Sequence, residues 1–283
     1  MWPMKSKPVV PVLRLQGVIG RSSAFQSALS LATVAGPIER AFSMSKLPSV
    51  AVLVNSPGGS PVQSNLIFKR IRQLADEKKK RVYVFCEDVA ASGGYYIAVA
   101  GDEIYADPSS IIGSIGVIAA SFGFVEAIDK IGVERRVYTA GRSKSTLDPF
   151  KPEKAEDVER ITAIQREIHD TFIGVVKSRR GSKLDAAGDD LFTGAFWAGP
   201  TAMELGLIDG IADVREKMRE LHGDSVQLRL VPGAKRGLLS RFSRPPSVAF
   251  ANALGDPSTL AHGLADGTFS AIEQRALWGR YGL

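Results

Sequence analysis

The chain has 283 residues, of which 45% are hydrophobic and 23% charged, with a net charge of +6 at neutral pH. That balance excludes a disordered polymer and a membrane-embedded fold, and the length suffices for one large domain or for one domain followed by a tail. A lone cysteine, Cys86, excludes an internal disulfide, and lysine and arginine are dispersed without a nucleic-acid-binding motif, so the excess positive charge reads as solvated surface.

The first eight residues, Met1 to Pro8, carry positive charge, but no apolar run follows them. Neither a cleaved leader nor a membrane anchor is expected there. The longest apolar stretches, such as Ile111 to Ala120, are broken by glycine and serine and fall short of a bilayer span. Val9 to Leu15, Val50 to Asn55, Arg81 to Cys86, Glu103 to Ala106 and Arg135 to Thr139 read as strands. Ile67, Ile71 and Leu74 recur at helical spacing between the second and third, and Lys78, Lys79 and Lys80 close that helix where cations complement its dipole. A longer helix from about Pro152 to Ser178 carries Ile161, Ile164, Ile168, Phe172 and Val176 on one face. Strand, glycine-rich turn and helix in that order predict an α/β fold with a mainly parallel sheet. Residues 1–234 form the expected domain. Beyond them the pattern weakens, and 235–283 reads as a tail, mobile or peripherally docked, with Trp278 among its apolar residues.

Four segments could carry chemistry. In Asn55-Ser56-Pro57-Gly58-Gly59-Ser60, two glycines at a strand-to-helix turn can aim N–H groups at a developing negative charge, or can simply form a tight turn. Ser92, before Gly93 and Gly94, is placed either to cap a helix or to act as a nucleophile at a helix N-terminus. A nucleophilic serine needs a base, but none of the three histidines, His169, His222 and His262, lies in a strand-end or glycine-rich context. A lysine can serve if burial without a counterion holds its amine neutral, and Lys144, among small and hydroxylated residues, is a candidate as well as an ordinary loop lysine. Ser114, inside the apolar stretch Ile111 to Ile118, needs a partner, which is either an amine or a backbone carbonyl.

Taken together, the Gly58-Gly59 turn, Ala91-Ser92-Gly93-Gly94-Tyr95-Tyr96, Gly113-Ser114-Ile115-Gly116-Val117 and the downstream Lys144 resemble the signal peptide peptidases of the SppA type. These are serine peptidases related in fold to the Clp protease and crotonase superfamily, and the resemblance runs from about Val9 to Val214. It implies Ser92 as nucleophile, Lys144 as general base and Ser114 as the hydroxyl that holds the lysine amine. It also implies an oxyanion hole from the N–H groups of Gly93 and Gly59, with Gly58 left open. No metal or organic cofactor is implied, and the substrates would be peptides with small or apolar residues at the scissile bond.

The resemblance further implies a closed homo-oligomeric ring in which Lys144 of one protomer serves Ser92 of the next; the apolar helix face of Ile161, Ile168 and Phe172 is the expected contact surface provided that it is exposed in the monomer. Lys130, Lys151 and Lys154 are rivals for the base, because Lys144 is followed by Ser145-Thr146-Leu147 where family members commonly carry an acidic or aromatic residue. The usual N-terminal anchor is not recognised in the first residues, which leaves the natural substrate pool open, and the expected location is the cytoplasm or peripheral contact with the inner face of the cell membrane. Two other functions share the fold: a crotonase-like acyl-CoA hydratase or thioesterase, which would need a catalytic carboxylate, and an inactive scaffold.

Overall fold

Eight strands assemble into one sheet because the apolar runs of the sequence are β-branched and short, whereas the helices between them carry one apolar face each. The computed structural model describes residues 7–20, 28–141, 143–184, 188–233 and 275–282. In chain order the elements are β1 (Val9–Gln16), α1 (Leu31–Ser43), β2 (Ser49–Ser56), α2 (Pro61–Lys78), β3 (Arg81–Ala91), α3 (Gly93–Ala98), β4 (Glu103–Ala106), β5 (Ile111–Gly113) and α4 (Val125–Lys130), then α5 (Ala155–Arg180), β6 (Phe196–Ala198), α6 (Gly199–Glu204), β7 (Gly210–Ile211), α7 (Val214–His222) and β8 (Gln227–Leu230). The strand order is β6-β5-β3-β2-β1-β8, with β4 paired to β3 and β7 to β4.

Every pairing is parallel except β5 with β6. This is the α/β class expected, consistent with a Clp/crotonase-like fold. The sheet divides along β3. Its first half, Tyr83 to Cys86, pairs with β4, and its last three residues, Val89 to Ala91, pair with β5. The strand therefore bridges two neighbours and outruns the sequence expectation by five residues. The main core lies between the sheet and the helices α1, α2, α3 and α5, with Ile38, Ile67, Ile71, Tyr95 and Val176 fully buried.

Two sequence expectations fail. Arg135 to Thr139 is no strand, because this segment lies exposed on an excursion from the sheet and finds no strand to pair with. On α5 only the C-terminal half of the apolar face packs on the core: Phe172 and Val176 are buried, whereas Ile164 is exposed. Of the expected tail, residues 275–282 are described, with a helical turn over 275–279 whose Trp278 and Tyr281 lie against Val89, Ala91 and Ile111. Among the described residues no helix is long and apolar enough to cross a membrane.

Candidate active site

Parallel strands bring their carboxyl ends to one edge, and in open α/β sheets that edge is where ligands bind. Here β2, β3 and β5 deliver the Gly58-Gly59 turn, Ser92 and Ser114 to it.

The turn is shaped by its glycines. Gly58 and Gly59 have φ of +107° and +135°, and a Cβ at Gly59 would lie 2.0 Å from the Ile19 carbonyl oxygen. That closeness reflects a clamp. The Ile19 N–H donates to the Gly58 carbonyl at 2.8 Å, and the Ser60 N–H donates to the Ile19 carbonyl at 2.8 Å. The Gly58 N–H is taken up by Ser56 Oγ at 3.2 Å. Ser64 Oγ donates to the Ser60 carbonyl at 2.9 Å, and Pro61 opens α2, as its fixed φ and missing N–H favour. These bonds leave the Gly59 N–H without an acceptor among the described residues, and the same holds for Gly93. The two groups are close, since a Cβ at Gly93 would lie 3.3 Å from the Gly59 nitrogen.

Ser92 sits between β3 and α3 with φ 51° and ψ −122°. A non-glycine residue in that region is strained, at a cost on the order of 1–3 kcal/mol, and persists only where its surroundings over-determine it. Here its N–H donates to the Gly113 carbonyl at 2.8 Å and its carbonyl accepts from Tyr96 N–H at 2.9 Å. The half-buried side chain caps nothing, so the hydroxyl is held out at a strand-to-helix turn as in a nucleophile elbow.

Ser114 is buried and also has φ 51°. Its N–H donates to the Ala195 carbonyl at 2.7 Å, and its hydroxyl makes no hydrogen bond among the described residues although the atom itself is not sealed from solvent. The carbonyl alternative read from the sequence is therefore not used.

A cavity of about 270 Å³ opens beside Ser92. Pro61, Val62 and Leu66 of α2 and Ile168 and Phe172 of α5 form its sides, and Gly59, Gly93 and Tyr96 contribute to its wall. Tyr96 stacks on Phe172 at 4.9 Å, and its buried hydroxyl has no hydrogen-bond partner among the described residues. Among the described residues no lysine, histidine, aspartate or glutamate lines the cavity.

Lys144 does not line the Ser92 cavity and makes no hydrogen bond to Ser92. It is exposed in a loop held by the Leu147 N–H, which donates to Asp157 of α5 at 3.3 Å, and by the Arg135–Asp148 ion pair at 3.2 Å. Lys130, Lys151 and Lys154 are exposed as well and do not line the cavity. His169 lies nearer the site than sequence reasoning placed it. Its Nε2 is 3.0 Å from the Ile115 carbonyl oxygen, one residue from Ser114. A carbonyl can only accept, so that nitrogen is a donor and cannot take a serine proton. His222 is paired with Ser49 Oγ at 3.0 Å, at the opposite end of β2, and His262 lies outside the described residues. Burial pushes the Cys86 thiol up to about 12, against a weaker opposing pull from Arg180, which suits a strand residue and not a nucleophile. Among the described residues no group of three or more His, Cys, Asp or Glu side chains is arranged to hold a metal ion.

The sequence model of Peptidase family S49 matches residues 74–228, more than half of the chain. The chain belongs to peptidase family S49. Ser92 and Ser114 fall within the matched S49 segment, whereas Ile19 and Gly59 precede it. The S49 chain is 29% identical to "Serine protease SPPA, chloroplastic" of Arabidopsis thaliana over 244 residues, 83% of this chain and 35% of that protein. It is 32% identical to "Protease 4" of Haemophilus influenzae over 213 residues, 75% of this chain and 34% of that one. It is also 56% identical over 277 residues to a protein of Brucella abortus named "Na(+)/H(+) antiporter NhaA", a match covering 97% of this chain and 37% of that protein. The chain thus spans little more than a third of each of these three relatives.

Proposed function

We propose that this S49 chain is a serine peptidase that works through an acyl-enzyme on Ser92, with Lys144 of a neighbouring copy as the base. The observation that carries the reading is the strained Ser92, set beside two unused N–H groups and an apolar cavity. In acylation the neutral Lys144 amine takes the Ser92 proton as Oγ bonds to the scissile carbonyl carbon. The oxyanion is held by the N–H groups of Gly93 and Gly59, and the protonated amine then gives its proton to the leaving nitrogen as the C–N bond breaks. Water repeats the sequence and releases the acid. The Ser114 hydroxyl, without a hydrogen bond among the described residues, supplies an acceptor for the incoming amine.

A neighbouring copy enters the reading because, among the described residues, no Lys, His, Asp or Glu side chain lines the cavity beside Ser92. Ile118, Phe122, Ile131, Val133 and Tyr138, on the excursion that also leads to Lys144, are all more than half exposed, an apolar surface suited to contact with a neighbour. This replaces the contact surface expected from α5, since Phe172 is spent in the cavity wall. An apolar cavity without a charged side chain favours peptides with an uncharged residue on the acyl side of the scissile bond. The same wall disfavours the hydratase reading, which needs a carboxylate there.

The test is labelling with a fluorophosphonate probe, alongside mass spectrometry of peptides released from a mixed pool. Stoichiometric labelling and new cleavage products, both abolished by Ser92→Ala, are the expected result. A chain that neither labels nor cleaves under conditions where it assembles is a scaffold or another enzyme.

A further inference from the structure

The strand ends that present Ser92 and Ser114 are covered on two faces. Ala90 and Ile112 point into the main core, whereas Val89, Ala91 and Ile111 point the other way, into a small separate cluster. That cluster is completed by Tyr281, which is only 7% exposed, and by Trp278, both from the far end of the chain. The Tyr281 ring also meets Phe196 of β6 edge-on, with centroids 5.1 Å apart.

The cluster under this ring reaches the site through Ala91. Ala91 precedes Ser92 and pairs with Gly113, which precedes Ser114. Gly113 in turn faces Phe196, and Ala195, next to Phe196, supplies the carbonyl that holds the Ser114 N–H. The strands involved are weak. β5 and β6 have three residues each, and β6 is the edge of the sheet, so their stability rests on side-chain packing more than on ladder length. Both serines are at φ 51° and need surroundings that over-determine them. The core supplies one face of that support, and the C-terminal aromatics supply the other.

We infer that Tyr281, seated by Trp278, is a positioning residue for Ser92 and Ser114. The C-terminal segment, although it lies beyond the S49 match at residues 74–228, then belongs to the working domain. This rests on the reading of Ser92 as nucleophile. Removing the ring leaves β3, β5 and β6 free to shift at their ends, and misplacement by an ångström can cost about a hundredfold in rate.

The experiment compares wild type with Tyr281→Ala, Tyr281→Phe and Trp278→Leu in the full chain, well below each thermal midpoint. For Tyr281→Ala, kcat for a fluorogenic peptide and the fluorophosphonate labelling rate should fall roughly ten- to a hundredfold with KM within about twofold. Tyr281→Phe should restore both, since the tyrosine hydroxyl makes no hydrogen bond among the described residues. Trp278→Leu should fall between, and it serves in place of Tyr281→Ala if that variant does not fold. Hydrogen exchange gives a readout independent of turnover: the Ser92 and Ser114 amides should lose protection in Tyr281→Ala while those of β1 and β2 keep theirs. Unchanged kcat and unchanged exchange at the two serines would overturn the inference. Inactive wild type with the exchange effect intact would overturn the peptidase reading and leave the positioning in place.

Discussion

Ser92 and Ser114 stand one residue beyond a facing pair, Ala91 and Gly113, and adopt the same left-handed φ of 51°. Two parallel strands thus end in the same way, and each turns a serine out of its regular path. The two differ in what surrounds them. Ser92 borders a cavity, whereas Ser114 is buried with an unused hydroxyl.

If Ser114 holds the lysine amine, Ser114→Ala should lower kcat roughly ten- to a hundredfold, the equivalent of about 1–3 kcal/mol, with the thermal midpoint little changed. Steady-state kinetics with a peptide substrate reads this directly. Wild-type kcat in the variant would return Ser114 to a structural role.

Gly59 should tolerate no side chain. An added Cβ meets the Ile19 carbonyl at 2.0 Å in a backbone region that L-residues avoid. Gly59→Ala should therefore cost at least about 3 kcal/mol in unfolding free energy and remove fluorophosphonate labelling. Denaturant titration measures the first effect. A stable, fully reactive variant would show that the clamp on Ile19 is dispensable.

Subunits carrying Ser92→Ala and subunits carrying Lys144→Ala should each be inactive, and co-assembled mixtures should recover part of the activity. Some contacts then pair an intact Ser92 with an intact Lys144. Lys144→Arg should be as inactive as the alanine variant, because a guanidinium does not give up its proton. A mixture that stays inactive despite shown co-assembly would place the base within the same chain.

Burial holds the His222 imidazole below its ordinary value. In the unfolded chain a histidine binds its proton as pH falls through about 6.5, whereas His222 in the fold binds it only at lower pH. Between those two points the unfolded state carries more protons, so stability rises with pH across the window and is complete above it. Folding free energies from pH 4 to 8 for wild type and His222→Gln should show the smaller slope in the variant. Turnover in the variant should stay within a few-fold, since His222 ends α7 and meets Ser49 at the start of β2, the end opposite the Gly58-Gly59 turn.

Much of the fold was legible in the sequence, because long β-branched runs such as Val50 to Asn55 have little alternative to a buried parallel strand. The three-residue strands β5 and β6 were not, since Ile111 to Gly113 and Phe196 to Ala198 are too short for periodicity to register. Arg135 to Thr139 shows the converse, strand-like composition without a neighbour to pair with. Ser92 and the glycine turn were visible through local motif. Which glycine has a free N–H was not, because that depends on Ile19, forty positions upstream. Nor did helical spacing reveal that His169 reaches the Ile115 carbonyl, or that Trp278 packs on the protein itself.

The clamp between Ile19 and Gly59 also bears on where the protein can be cut. The match to the S49 family model begins at 74, yet one of the two unused N–H groups beside Ser92 is at Gly59, and its orientation is set from Ile19. A fragment trimmed to 74–228 would keep both serines and lose Gly59, Ile19 and the strands β1 and β2 that set the turn. The border of the family model and the border of the folded unit do not coincide here, and a fragment meant to keep the surroundings of Ser92 must include β1.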